Sequence, residues 1–366
     1  MRTEESKYEF KGKVRFLGLG NYGCKQAKIF ADMGYKVMYA NGSKQDLKVL
    51  GDSPNIYWLR DFDGFGGFRE RAIDCMAVNN EFVEALQNIT EEILFIIYAD
   101  GGSTGSGSST VCAEIVLDNK DEYGEAKTTV CSINALPSSN EALVKHRNAY
   151  QAVRELQEIE GMGAAFFINN DSSDDYSYIN NTFARMLDAF LTNDSYGELN
   201  NFDESEKMEM LRNGGAMIMS LVGNDKDSTV MLDKLTKNGI FAPVETDKVC
   251  ENIAIIHAGK DNSDIKASEI IAEVGKSANV FEGYNNGRSL VVVSGLTYPI
   301  SHVRKLGELA QKVSEERQRS RSMSVQKLGD LNLVEAVPSV VKEDKPKKNP
   351  SKLEMLRQKQ AKMQQR

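Results

Sequence analysis

The run Ile93-Leu94-Phe95-Ile96-Ile97-Tyr98 passes directly into Ala99-Asp-Gly-Gly-Ser-Thr-Gly-Ser-Gly-Ser-Ser-Thr110. Unbroken apolar residues predict a strand covered on both faces, as in a parallel sheet. Glycines at 101, 102, 105 and 107 cost backbone entropy and pack nothing. Such a run between a buried strand and a helix suits an anion. Consecutive N–H groups can surround phosphate oxygens, and the dipole of the following helix favours negative charge. The bland alternative is a flexible Gly/Ser linker, but linkers seldom sit between a buried strand and a helix.

The surrounding pattern agrees. Residues 13–40 read as strand, helix, strand (KVRFLGLG, CKQAKIFADMG, YKVMYAN), and a helix is predicted at about 69–89. A helix starting near Ser108 follows the strand ILFIIYA. Strands TTVCSINAL and AAFFIN flank the helix NEALVKHRNAYQAVRELQEI. Alternation at this spacing predicts a Rossmann-like parallel sheet with helices on both faces. Residues 172–200 read as one long central helix, with Phe183, Met186, Leu187 and Phe190 at helical spacing. AMIMSLVG, NIAIIHAG and SLVVVSGL then predict a smaller α+β unit. The expected division is 1–171, 172–200, 201–310 and 311–366, the last being a polar helix and a mostly disordered tail.

Composition narrows the function classes. In 366 residues there are five cysteines without CxxC spacing and three scattered histidines, which argues against disulfides and against a histidine-rich metal site. No stretch approaches the roughly 18 apolar residues of a membrane span. The polar opening MRTEESKYEFKGK carries no signal-peptide pattern, so a cytoplasmic location is expected. The net charge of −8 hides an asymmetry: residues 342–366 carry nine Lys/Arg against three Asp/Glu, leaving −14 on the remainder. A basic tail on an acidic body suits an anionic partner, with a solvated terminus as the bland reading.

Two glycine motifs compete for the phosphate. Gly18-Leu-Gly20-Asn-Tyr-Gly23 matches the dinucleotide fingerprint, which would make the chain an NAD-dependent oxidoreductase. That site wants an acidic residue at the end of the second strand, where this chain has Asn41. No Walker A lysine follows any glycine run. Gly101-Gly102-Ser103-Thr104-Gly105-Ser106-Gly107 is more specific: it resembles the GGGTG[ST]G signature of the tubulin/FtsZ superfamily, with Ser103 in place of a glycine. Further motifs of that family fall in order. They are Gly64-Phe-Gly66-Gly67-Phe68-Arg-Glu70, Glu141 with Lys145 where arginine is usual, Asn170-Asp171, Tyr176 with Asn180, and Asn201-Phe-Asp203-Glu-Ser-Glu206. The resemblance spans roughly residues 13–310.

What the resemblance implies is a GTPase of the tubulin/FtsZ fold, using GTP/GDP with Mg²⁺ carried by the nucleotide and no metal ligand from the protein. Gly20 and Asn21, in the 18–24 loop, would approach the diphosphate, Asn41 would join the nucleotide site, and Gly66 and Gly67 would sense the γ-phosphate. The 101–107 run would bind phosphate through its N–H groups, with hydroxyl donors from Thr104 and Ser106. Tyr176 would stack on guanine and Asn180 would bond its edge, being i and i+4 on one helix face. Asn170 would contact base or ribose, Glu141 and Lys145 the sugar. Asp203 and Glu206, with Asn201, would orient the attacking water. Locally, however, Asp-Glu-Ser-Glu is also a helix capping box. A helix of about 20 residues (~30 Å) separates that pair from the base pocket, so it would act on the next subunit of a head-to-tail filament. The basic tail makes the plasmid- and phage-partitioning branch the nearest resemblance, with an adaptor on DNA as tail partner and no membrane. A spindle-type phage tubulin is the alternative.

Overall fold

The computed structural model describes residues 10–53, 55–62, 65–193, 202–223, 227–259, 265–284, 287–325 and 351–364. The first half runs β1 (Val14–Leu19), α1 (Gly20–Asp32), β2 (Lys36–Asn41), α2 (Lys44–Leu47), β3 (Ile56–Trp58), α3 (Arg71–Val78) and α4 (Asn80–Gln87). It continues with β4 (Ile93–Ala99), α5 (Thr104–Leu117), β5 (Thr129–Leu136), α6 (Leu143–Leu156), β6 (Ala165–Asn169) and α7 (Tyr176–Leu191). The second half holds α8 (Glu204–Arg212), β7 (Ala216–Gly223), α9 (Ser228–Leu232), β8 (Asn252–His257), α10 (Ala267–Val274), β9 (Asn279–Tyr284) and β10 (Arg288–Leu296). Two helices close the chain, α11 (Ile300–Val325) and α12 (Lys352–Gln364).

Among the described residues, ten strands join one sheet in the order β3-β2-β1-β4-β5-β6-β7-β10-β8-β9. From β3 to β6 every pair is parallel, as the buried apolar strands predict. β10 lies antiparallel between β7 and β8, while β9 is parallel to β8. The halves meet edge to edge at the Ala165–Ala216 pair, and residues 240–242 also bond β6: Asn169 N–H donates to Ile240 and Ala242 N–H to Phe167. An aromatic spine seats the central helix. Phe16 stacks on Phe30 at 3.9 Å between centroids, and Phe183 of α7 meets both Phe166 and Phe241 edge-on.

Several local expectations shift. The central helix begins at Tyr176, four residues later than predicted, because Asp175 accepts from the Ser177 and Tyr178 N–H groups and caps it. The helix predicted at 69–89 is two helices. Asn79 breaks it by bonding both the N–H and the carbonyl of Arg60. Helices α1 and α5 begin earlier than predicted, inside their glycine motifs, so 104–107 is a first helical turn and not an open loop.

The C-terminal tail departs most. Residues 326–350 lie outside the described residues, but 352–364 form a helix packed on α3 and α5. Ser351 and Glu354 close a capping box at its start, and Leu356 is 1% exposed. The expected disorder therefore fails here. Leu356 and Leu353 pack on the core, and Lys352, Arg357 and Lys359 pair with carboxylates of the acidic body.

Candidate nucleotide site

Strand order 3-2-1-4-5-6 puts a topological switch point between β1 and β4, and ligands of such sheets bind outside the carboxyl ends there. The two glycine motifs leave those strands side by side. Between them and α7 lies a cleft of about 590 Å³, a size usual for small-molecule sites. It is lined by Gly20, Asn21, Asn41, Gly66, Gly101, Gly102, Ser103, Thr104, Gly105, Glu141, Lys145, Asn170, Tyr176 and Asn180. Residues from six separate stretches of chain thus share one wall.

The floor is built for negative charge. Helices α1 and α5 both open on the cleft, and neither has a side-chain cap. Their first N–H groups are the orphan donors that anions satisfy at helix N-termini. Gly20 has φ +70°, and a Cβ there would come within 3.3 Å of the Gly105 nitrogen, so the two helix starts touch only because both residues are glycine. Gly18 and Gly23 have a different task. A Cβ on Gly23 would lie 2.1 Å from the Ile97 carbonyl oxygen, so this glycine lets α1 lie flat on β4.

Ser106 and Gly107 face away from the cleft. Ser106 is fully buried; its hydroxyl donates to the Gly102 carbonyl and accepts from Arg69 Nε at 2.9 Å. It supports the turn from beneath, in place of the phosphate-donor role expected from sequence. A Cβ on Gly107 would meet the Arg69 carbonyl oxygen at 2.6 Å, which fixes how closely α5 approaches the 66–69 segment. Gly67 N–H donates to Ser103 Oγ at 3.3 Å, and Asn148 of α6 bonds the Gly67 and Gly101 carbonyls. Gly64 lies outside the described residues.

On the α7 side, Tyr176 is 45% exposed at the helix start, one turn before Asn180. Gln26 of α1 donates to the Asn180 carbonyl at 3.0 Å and ties the two helices together. Glu141 and Lys145 form an ion pair one turn apart. Asn41 accepts from Ser43 N–H and donates to Asp46, so its amide orders the β2–α2 corner beside the cleft. Asp171 is held below its ordinary carboxyl range: burial pushes it up, but donors from Ser138 and Ser139 outweigh burial.

Sequence reasoning passed over Lys25, Asp46, Phe65 and Tyr22, which also line the cleft. Lys25 was within reach, one turn after Asn21 on the same helix face. Arg69 and Asn148, which brace the glycine turns, carried no local signal because their partners are distant in sequence. Beneath the floor, Asp100 is fully buried with no hydrogen bond to either oxygen among the described residues, and burial raises its pKa well above the usual value.

Asp203 and Glu206 are not at the cleft; Asn201 lies outside the described residues. They open α8 with Phe202 buried beside them. Their neighbour Glu204 pairs with Lys13, just before β1, whereas the cleft begins just after β1. Six strand residues at ~3.3 Å each put the two sites on opposite ends of the sheet, about 20 Å apart. Burial and the charges of Asp203 and Glu209 raise the Glu206 pKa.

No family model matches the chain. Against a curated relative, the tubulin-like protein TubZ of Clostridium botulinum C phage, it is 24% identical over 328 residues, 86% of this chain and 87% of the relative. The crystal structure of Clostridium botulinum phage c-st TubZ superposes with a TM-score of 0.72 at 21% identity, covering 84% of this chain and 99% of that one. A GTPγS-form protofilament of Bacillus thuringiensis serovar israelensis TubZ gives 0.70 at 13% identity, covering 88% and 98%. The chain has the tubulin fold and is similar, over most of its length, to the tubulin-like protein TubZ.

Proposed function

We propose that this protein is a GTPase that assembles head to tail and hydrolyses GTP where two subunits meet, serving to move or segregate plasmid or phage DNA. The observation that carries the reading is the placement of Asp203 and Glu206 on the opposite end of the sheet from the cleft. Stacking subunits in register brings the acidic end of one onto the nucleotide of the next. Such heterologous contacts, when they do not close, build filaments. The relative crystallised as a GTPγS-form protofilament supports the same arrangement.

Each part of the cleft then has a task. The α1 and α5 N-termini and the N–H groups of 101–105 hold the phosphates, and Lys25 adds a cation. Tyr176 stacks on the purine while Asn180 pairs its edge; Glu141 and Asn170 position the sugar and base. Gly66, which lines the cleft, and Gly67 beside it would meet a third phosphate, so that GTP and GDP are told apart. Among the described residues no group of three acidic, histidine or cysteine side chains forms a metal site. Mg²⁺ would ride on the phosphates. Asp203 and Glu206 of one subunit would polarise the water attacking the nucleotide of its neighbour.

The basic tail would engage an adaptor on DNA, or DNA itself, and this requires freeing the cations that α12 places on the body. Among the described residues no helix is long and apolar enough to cross a membrane. Light scattering with GTP and Mg²⁺, with phosphate release followed in the same cuvette, tests the core of the reading. The expected result is scattering that rises with GTP and turnover that climbs steeply with protein concentration. Turnover per subunit independent of concentration would overturn the shared site.

A further inference from the structure

We infer that α12 is a releasable clasp whose docking on α3 and α5 braces the phosphate end of the cleft through Lys352, Glu155, Arg69 and Ser106. Lys352 Nζ lies 2.5 Å from Glu155 Oε2 on α6. That same carboxylate takes a two-pronged bond from Arg69, at 3.0 and 2.6 Å. Arg69 in turn donates to the hydroxyl of Ser106 at 2.9 Å and to its carbonyl at 2.8 Å. Arg69 is 4% exposed and sits directly after Gly66-Gly67-Phe68, so the contact that steadies Ser106 also anchors the 66–68 turn.

The chain of contacts is continuous and charge-assisted throughout. Burial pushes the Glu155 carboxyl up, yet Arg69 and Lys352 together outweigh it and hold it below its ordinary range. Removing Lys352 leaves Glu155 with one cation and weakens the hold on Arg69.

Docking has the character of a reversible contact. Leu356 is the buried anchor and Leu353 packs beside it. The Leu353 N–H donates to Glu114 at 2.6 Å, while Arg357 pairs with Asp118 and Lys359 with Asp74. Both of the latter pairs are exposed, so salt screens them. Twenty-five residues, 326–350, lie between α11 and the clasp in sequence. If the cleft holds GTP as proposed, linkage makes docking and nucleotide affinity reciprocal: docked α12 favours the braced turn, and bound nucleotide favours docking.

The test uses the full chain, a chain ending at residue 350, Lys352→Gln and Lys359→Glu, and the double variant Lys359→Glu with Asp74→Lys. Amide hydrogen exchange without nucleotide reads the brace directly. Undocking should speed exchange across 66–78 and 104–117 several-fold in the first three variants, and the charge swap should restore protection. Fluorescent-GTP titration should show about three- to ten-fold weaker binding in Lys352→Gln and in the truncated chain. Unchanged exchange at 66–78, or GTP affinity unaltered despite loss of the helix, overturns the clasp. Should no variant bind GTP, the nucleotide reading falls while the exchange data still decide the brace.

Discussion

Asp203 and Glu206 bond each other's backbone across one helical turn: Asp203 Oδ1 accepts the Glu206 N–H and Glu206 Oε2 accepts the Asp203 N–H, both at 3.0 Å. The capping box foreseen as a local alternative is therefore formed. It does not compete with the proposed chemistry, because each carboxylate has a second oxygen and lies at the surface. The cap makes the pair rigid before any neighbour arrives. Glu206→Gln keeps an acceptor for the cap and removes the charge. We expect melting within a degree or two of the parent, assembly intact, and turnover lowered by about 10²-fold or more. Asp203→Ala should add a stability loss of ~1 kcal/mol. Parent-like phosphate release by Glu206→Gln in filaments would refute the assignment.

Tyr176→Ala removes the proposed stacking face without touching the phosphate floor. The expected effect is a five- to thirty-fold loss of GTP and GDP affinity alike, on the order of 1–2 kcal/mol. Isothermal titration with both nucleotides measures it. Loss confined to GTP would place Tyr176 at the γ-phosphate and not at the base.

Gly107→Ala inserts a methyl where the Arg69 carbonyl oxygen stands 2.6 Å away. The backbone must part, and over-packing of this kind costs about 1–3 kcal/mol. The variant should melt lower and bind GTP more weakly, because the 66–69 segment is displaced with it. Differential scanning fluorimetry with and without GTP separates the two effects.

Stability should have an acid limb set by Glu91. Buried at the foot of β4, it accepts two bonds from Arg15 and one from Lys36. Burial pushes its pKa up, but those cations outweigh it and bring it to about 2. A carboxyl depressed in the folded state stabilises above its unfolded value near 4.5, and that contribution disappears as pH falls toward 2. The shift corresponds to ~3 kcal/mol. Urea unfolding from pH 6 to pH 2.5 should show this decline, and Glu91→Gln should flatten it.

Much of the sheet was legible in the chain. Unbroken apolar runs such as Ile93–Ala99 predict buried parallel strands, and those strands are where they were expected. β3 and β9 escaped: one has three residues, and the other, Asn279–Tyr284, has an exposed start and little apolar pattern. Helix starts were misjudged wherever glycine was read as loop, because a glycine turn and an uncapped first helical turn look alike in sequence. Ser351-x-x-Glu354 ahead of Leu356 was a readable capping box, overshadowed by the basic composition around it.

The sequence by itself determined the buried strands and the glycine turns that follow them, since both leave a local pattern; the base and water roles came only with the family resemblance. Only the tertiary structure decided where each would act. It gathered the cleft from six stretches, turned Ser106 inward, and put Asp203 and Glu206 on the far end of the sheet. It also brought Lys352 to Glu155, 197 residues earlier in the chain. Contacts of that range depend on how helices and strands pack, and burial and charge complementarity between distant segments leave no periodic trace for local reading to find.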